Sequence, residues 1–168
     1  RLEGREIGTQ GEQLAAEYIA KRYQEIGLEP KGTDGYFQTF SRKQEQDPHS
    51  LTPTDTGMIV GRNVAGYVDN GAKTTVIIGA HYDHLGYGEH GSLHSGEPAI
   101  HNGADDNASG VAVLLQLAEK LKSSNKTNNY LFICFSGEER GLWGSNFFTK
   151  EPTVKLENVN YMVNMDMV

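Results

Sequence analysis

Apolar positions along the chain change their period several times, and each change marks a new element. Across residues 8–26, Ala15, Ile19, Ile26 and the aliphatic stem of Arg22 share one helical stripe, with Leu14 and Tyr18 beside it. Thr9 is placed to cap that helix, Glu12 follows three residues on as in a capping box, and Gly27 is placed to stop it. Residues 28–30 lead to a short alternating strand at 36–40. Residues 41–57 are polar, with two prolines and no period, which predicts a surface excursion. A strand is expected at 62–68, then Asp69-Asn70-Gly71 as a hairpin-type turn into a strand at 74–80. Residues 82–101 read as a long loop rich in Gly and His, and loops of that length are often functional. The clearest helix spans 109–121, with Val113, Leu114, Leu117 and Leu121 as its buried face. A buried strand at 130–135, the start of a helix at 142–148 and a last strand at 161–165 complete the pattern. The alternation predicts a single α/β domain, a three-layer sandwich around a mostly parallel or mixed central sheet, with no internal repeat.

Composition narrows the functions this fold could serve. The 168 residues are enough for one domain with a sizeable core. A net charge of −7 and a pI near 5.3, with no basic stripe, argue against nucleic acid as a partner. The longest apolar runs have about six residues, far short of the roughly 20 that span a bilayer. No leader peptide is visible, but the chain opens on Arg1 rather than a methionine and so reads as processed or trimmed. Cys134, alone in an apolar run, is expected to be a core thiol; it leaves no intrachain disulfide and no thiolate zinc cluster.

Three predicted strands stop at possible metal ligands. The strand at 75–80 runs into His81-Tyr82-Asp83, that at 130–135 into Ser136-Gly137-Glu138-Glu139, and that at 161–165 into Asp166. Between them a carboxylate-bearing loop, 102–110, opens a helix. Ligands of open α/β sheets collect beyond the carboxyl ends of the strands, so one His and several acids there suggest a metal-dependent hydrolase. His81 and Asp83 project to the same side of an extended segment. That suits His81 as a ligand whose other ring nitrogen faces Asp83; a surface His beside a capping Asp is the plainer alternative. One acid would suffice to cap the helix after Asp105-Asp106, and Gly103 and Gly110 suggest a close backbone approach. A carboxylate there could bridge two metals. Glu138 and Glu139 diverge as neighbours, which suits one ligand and one general base. Asp166 at the end of an apolar strand needs a metal or a buried cation to offset its burial.

The segments Gly-Ala-His-Tyr-Asp-His (79–84), Asn-Gly-Ala-Asp-Asp-Asn-Ala-Ser-Gly (102–110), Ser-Gly-Glu-Glu-Arg-Gly-Leu-Trp-Gly-Ser (136–145) and Asn-Met-Asp-Met-Val (164–168), in that order, closely resemble the M28 family of zinc peptidases. These are mostly aminopeptidases with two cocatalytic zincs, and the resemblance extends to Gly4-Arg5-Glu6-Ile7-Gly8-Thr9, nearly the whole chain. It implies that His81 and Asp166 bind one zinc and Glu139 the other. Asp106 would bridge the two, Glu138 would act as general acid/base, Asp83 would support His81, and Asp105 would ligate nothing. The implied reaction is hydrolysis of the N-terminal peptide bond of a peptide with a free N-terminus, and the family suggests an extracellular or periplasmic setting.

The family pattern includes one more zinc-ligating His, downstream of the last Asp, and this chain ends at Val168. The expectation is a truncated catalytic domain that holds one zinc firmly, the second weakly, and has little activity alone. His49, His84, His90, His94 and His101 are candidates to replace the missing ligand, although solvent exposure is expected of each. A sheet without its later strands would expose an edge, expected to be covered by self-association. Two rivals share the fold: a glutaminyl cyclase-like enzyme with one zinc, and a noncatalytic module. The paired Asp-Asp and Glu-Glu motifs favour the two-zinc aminopeptidase.

Overall fold

The computed structural model describes residues 2–43, 57–124 and 126–168. Residues 44–56 of the polar excursion expected at 41–57, His49 included, and Asn125 lie outside the described residues, whereas 41–43 continue a strand.

Helix α1 spans Gln10–Ile26, and both of its predicted ends hold. Thr9 Oγ1 accepts from the Glu12 backbone N–H at 3.3 Å. Gly27, at φ +82°, turns left-handed and donates to the carbonyls of Tyr23 and Gln24. The buried face keeps Ala15 and Ile19 of the predicted stripe but departs from it on the flank. Glu12, Ala15, Ala16, Ile19, Ala20 and Tyr23 face the sheet, whereas Leu14 and Tyr18 are exposed. Small residues let the helix axis come close to the sheet, and that contact outweighs the larger apolar side chains on the flank. The Glu12 side chain is likewise no capping-box partner; it points inward and is 2% exposed.

Six strands form one sheet: β1 (Glu29–Pro30), β2 (Phe37–Lys43), β3 (Met58–Val68), β4 (Thr75–His81), β5 (Asn129–Phe135) and β6 (Val159–Asn164). Their order is β1-β3-β5-β4-β6, with β2 also paired to β3. β3 runs antiparallel to β1, β2 and β5, while β4 runs parallel to both β5 and β6. The sheet is therefore mixed, and the segment at 69–71 is not a hairpin, because β5 lies between β3 and β4. Asn129 ties that turn to the start of β5. Its Oδ1 accepts from the N–H groups of Asn70 and Ala72 at 2.9 and 3.1 Å.

Alternating side chains of β3, β4 and β5 supply two cores. Val64, Val76, Ile78, Phe132 and Cys134 pack with α1 and with α2 (Gly110–Ser124) on one face. Ala65, Ile77, Leu131, Ile133 and Phe135 pack with Phe148 of α3 (Trp143–Lys150) on the other. Helices thus flank both faces, the expected three-layer arrangement. On α2 Val111, Leu114, Leu115 and Ala118 are buried; of the predicted face Leu114 is buried, Leu117 and Leu121 pack partly buried against the core, and Val113 is exposed. Burial pushes the Cys134 thiol up to about 12, consistent with an inert core residue. β6 is mostly exposed, with Tyr161, Met162 and Val163 open to solvent. No helix among the described residues is long and apolar enough to cross a membrane.

Candidate metal centre

The sheet register brings the predicted residues to one edge. His81 pairs with Phe135 in the parallel β4–β5 ladder, so the segments beginning at Tyr82 and Ser136 leave the sheet side by side. On the other flank Gly79 pairs with Asn164, which places Asp166, two residues on, beside His81. The loop before α2 completes the group. It is a π-type turn over Ala104–Ser109 with non-helical backbone at Asp106 and Asn107. Buried Asn107 holds it in place. Its Nδ2 donates to the Met165 carbonyl at 2.9 Å, and its Oδ1 accepts from Gly110 and Met167 N–H at 3.1 Å each.

Arg5 fastens the same loop to the end of β4. Its guanidinium donates to the carbonyls of Tyr82, Asn102 and Gly103, each at 2.8 Å. Gly103 is left-handed at φ +58°, and a Cβ there would lie 2.6 Å from Arg5 Nη2, Asp106 O and His84 Cγ. The close approach read from that glycine is therefore to the protein itself.

Two sets of donor atoms result. In the first, His81 Nε2 lies 3.1 Å from Asp106 Oδ1 and 3.6 Å from Asp166 Oδ1. In the second, His84 Nδ1 lies 2.6 Å from Glu139 Oε1 and 3.8 Å from Asp106 Oδ2. Within each set the donors fall within 4.8 Å of one another, and Asp106 presents one oxygen to each. Glu138 belongs to neither set, although its Oε2 is 3.9 Å from His81 Nε2. Asp105 also stays outside; its carbonyl accepts from Ser109 Oγ at 2.7 Å.

Asp83 is fully buried, and its two carboxylate oxygens accept from the N–H groups of Glu138 (3.1 Å) and Glu139 (3.3 Å). It thereby holds the acid pair in place. His81 Nδ1 is closer to the Asp83 carbonyl, at 3.2 Å, than to its carboxylate, at 3.7 Å. Asp166 differs from expectation in its burial: its side chain is 42% exposed. β6 is paired on one side only among the described residues, which leaves its end open to solvent.

The electrostatics are those of acids crowded around one imidazole. Burial alone would lower the pKa of His81, but Asp83, Glu138 and Asp106 outweigh it and push the value to about 9. Burial raises Glu139 to about 7, and Asp106 and Asp83 reinforce the shift. Burial also raises Glu138, opposed by His81 and aided by Asp83, Asp166 and Asp106. Imidazole nitrogen and carboxylate oxygen without thiolate suit zinc, and a divalent cation would offset this concentration of negative charge. The residues fit such an ion. Because a proton on His81 competes with the metal, zinc affinity of the first set should rise about tenfold per pH unit between about pH 6 and 8. Competition with a chromophoric chelator measures this, and a flat profile would refute it.

Beneath the edge, Glu12 of α1 joins the ends of β4 and β5. Its Oε1 accepts from Ser136 Oγ at 2.8 Å and contacts the Tyr82 hydroxyl, which also lies 2.7 Å from the Arg62 carbonyl. A tyrosine carries one hydroxyl proton, so both of its contacts are satisfied when Glu12 is protonated and donates to Tyr82. Burial, chiefly, raises the Glu12 pKa and favours that state. A carboxyl group whose folded pKa is raised adds stability at acid pH, which is lost as pH climbs from the unfolded value through the folded one. Glu12→Gln cannot ionise and keeps both a donor and an acceptor. Its Tm relative to the wild type should therefore be higher at pH 8 than at pH 5, and a difference independent of pH would count against a protonated Glu12.

Sequence reasoning named His84 among the candidate replacement ligands but expected it to be exposed, whereas it is buried; it missed Arg5 and Glu12, which shape this edge. Only the position of His84, immediately after the Asp of a His-x-Asp strand exit, offered a local signal.

The sequence profile of Peptidase family M28 matches residues 63–168. The alkaline phosphatase isozyme conversion protein of Escherichia coli (strain K12) is 28% identical over 167 residues, covering 97% of this chain and 46% of that protein. A probable leucine aminopeptidase of Arthroderma otae is 34% identical over 113 residues, 62% of this chain and 28% of that protein. The chain thus spans less than half the length of these curated relatives. Among solved structures, a Zn-dependent exopeptidase from Parabacteroides distasonis superposes with a TM-score of 0.74 at 23% identity, covering 99% of this chain and 57% of that one. Glutaminyl cyclases share the same fold.

Proposed function

The chain belongs to peptidase family M28, and on that premise we propose that it carries the metal centre of a zinc aminopeptidase with a cocatalytic pair of ions. One observation supports this most: the Asp106 carboxylate is divided between two donor sets, and Glu138 stands beside them uncommitted to either. His81, Asp106 and Asp166 would hold one ion, and Asp106 and Glu139 would contribute to the other. When bound, zinc supplies Lewis acidity toward a scissile carbonyl and lowers the pKa of water beside it.

The protein's own groups do the rest. Glu138, fixed through its N–H on Asp83 and raised in pKa by burial, is suited to take a proton from the attacking water and return it to the departing amine. A cavity of about 180 Å³ adjoins it, lined by His81, Glu138, Phe135, Leu142, Met162 and Asp166. Its mixture of acids and apolar walls suits a peptide end that carries a free ammonium group and one side chain.

The test is to incubate the zinc-loaded protein with aminoacyl-4-nitroanilides, their N-acetylated counterparts and a peptide beginning with Gln. Zinc-dependent release from the free but not the acetylated anilides supports the proposal. Pyroglutamate formation without release would replace it with a cyclase, and equal release from free and acetylated anilides would remove the requirement for a free amine.

A further inference from the structure

The hydrogen bonds of Arg5 meet at both ends of the long loop 82–101. Its Nε donates to the Tyr82 carbonyl, where the loop begins. Its Nη1 and Nη2 donate to the Asn102 and Gly103 carbonyls, just past the loop's end, and all three bonds are 2.8 Å long. Tyr82 follows His81 directly, and Gly103 stands three residues before Asp106. One guanidinium therefore ties the backbone that carries His81 to the backbone that carries Asp106, whose donor atoms lie 3.1 Å apart. We propose that Arg5 is a positioning residue of the metal centre: it sets the separation of His81 and Asp106 by closing the loop between them, without being a ligand.

Arg5 is itself held in place for this. Its backbone is left-handed at φ +53°, a conformation that residues other than glycine seldom adopt. Hydrogen bonds fix that turn on both sides. The Arg5 N–H donates to the Leu2 carbonyl at 2.9 Å, and the His84 and Gly86 N–H groups donate to the Arg5 and Gly4 carbonyls at 3.2 Å each. The two residues that follow reach the turn bearing the acid pair. Glu6 Oε1 pairs with Arg140 Nη2 at 2.5 Å, and Ile7 Cδ1 lies 2.7 Å from where a Cβ on Gly137 would stand.

The shape of the group matters as well as its charge. All three acceptors are neutral carbonyls, and the residue is 7% exposed. Burial lowers the Arg5 pKa, while the nearby carboxylates of Asp83 and Asp106 act against that shift. A planar guanidinium presents its donors in fixed directions, whereas a lysine ammonium is a point charge on a flexible stem. Without the fork, bringing His81 to Asp106 requires ordering the loop ends at a cost in chain entropy.

The inference rests on the His81–Asp106–Asp166 metal position of the proposed function, and not on the number of ions or the reaction. Arg5→Lys, Arg5→Ala and Leu131→Ala are compared with the wild type by chelator competition for zinc and by the Tm of the metal-free proteins. Leu131 is fully buried in the core that packs against Phe148, so Leu131→Ala lowers stability away from the centre. Loss of a group that orients a ligand costs about 10- to 100-fold in metal affinity. Both Arg5 variants should show that loss at a temperature where they are folded, and Leu131→Ala should bind zinc as the wild type does despite its lower Tm. The visible spectrum of the cobalt(II)-loaded protein reports ligand geometry; it should change in Arg5→Lys and stay unchanged in Leu131→Ala.

Arg5→Lys decides the matter if Arg5→Ala does not fold. Wild-type affinity and spectrum in Arg5→Lys would show that charge suffices and overturn the inference. Equal losses of affinity in Leu131→Ala and the Arg5 variants would also overturn it, leaving Arg5 a contributor to general stability. In both cases zinc binding by the wild type would leave the metal position standing. No zinc binding by the wild type would overturn the metal position and the inference together.

Discussion

Glu138→Gln should lower kcat of the zinc-loaded protein by about a thousandfold, within the 10²–10⁴ range of a lost general acid/base, while zinc content and KM change little. This prediction is a hypothesis that follows from the proposed aminopeptidase activity. Glu138 lies outside both donor sets, 3.9 Å from His81 Nε2, so its carboxylate is not needed to hold an ion. It meets Asp83 through its backbone N–H, which the substitution leaves in place. Glutamine fills the same space but cannot take up a proton, so the loss falls on the chemical step and kcat/KM declines with kcat. Single-turnover kinetics beside elemental analysis would check this. Activity within tenfold of wild type would remove Glu138 from the mechanism, whereas loss of a zinc would make it a ligand.

The second large effect is expected at Asp106, the side chain both sets share. Asp106→Ala should weaken both metal positions together, whereas His81→Ala and Glu139→Ala should each weaken mainly one. Stability offers a readout independent of activity. An ion that binds the folded state at about a thousand times its Kd adds about 4 kcal/mol. The wild type should therefore show a marked rise in Tm on adding zinc and lose it on chelation, while Asp106→Ala should respond to neither. A zinc-dependent Tm shift of wild-type size in Asp106→Ala would show that the carboxylate does not join the sites. The variant is expected to keep its fold, because Asn107, not Asp106, staples the loop to Met165 and Met167.

Much of the site could be read from the chain because metal chemistry admits few residue types and strand ends expose them. His81, Asp106, Glu139 and Asp166 lie far apart in sequence, yet His81, Glu139 and Asp166 follow apolar runs that stop and Asp106 lies in the loop that opens a helix. The structure gathers all four, with Glu138 beside them. His84 could not be read in the same way. Its place immediately after Asp83 was the one local signal that set it apart from the other loop histidines, and its burial depends on Arg5 and Gly103.

Sequence alone determined the kinds of element, the three-layer class, the capped ends of α1 and the family, since each depends on short-range pattern or on motifs contiguous in the chain. Tertiary structure alone decided that β5 sits between β3 and β4, and that α1 buries its alanines rather than Leu14 and Tyr18. It likewise decided that Arg5 and Glu12 brace the centre from positions 98 and 124 residues away from Gly103 and Ser136. Those outcomes turn on which surfaces meet after the chain has closed loops of that length. Local spacing constrains the backbone over one or two turns and carries no record of what will pack against it.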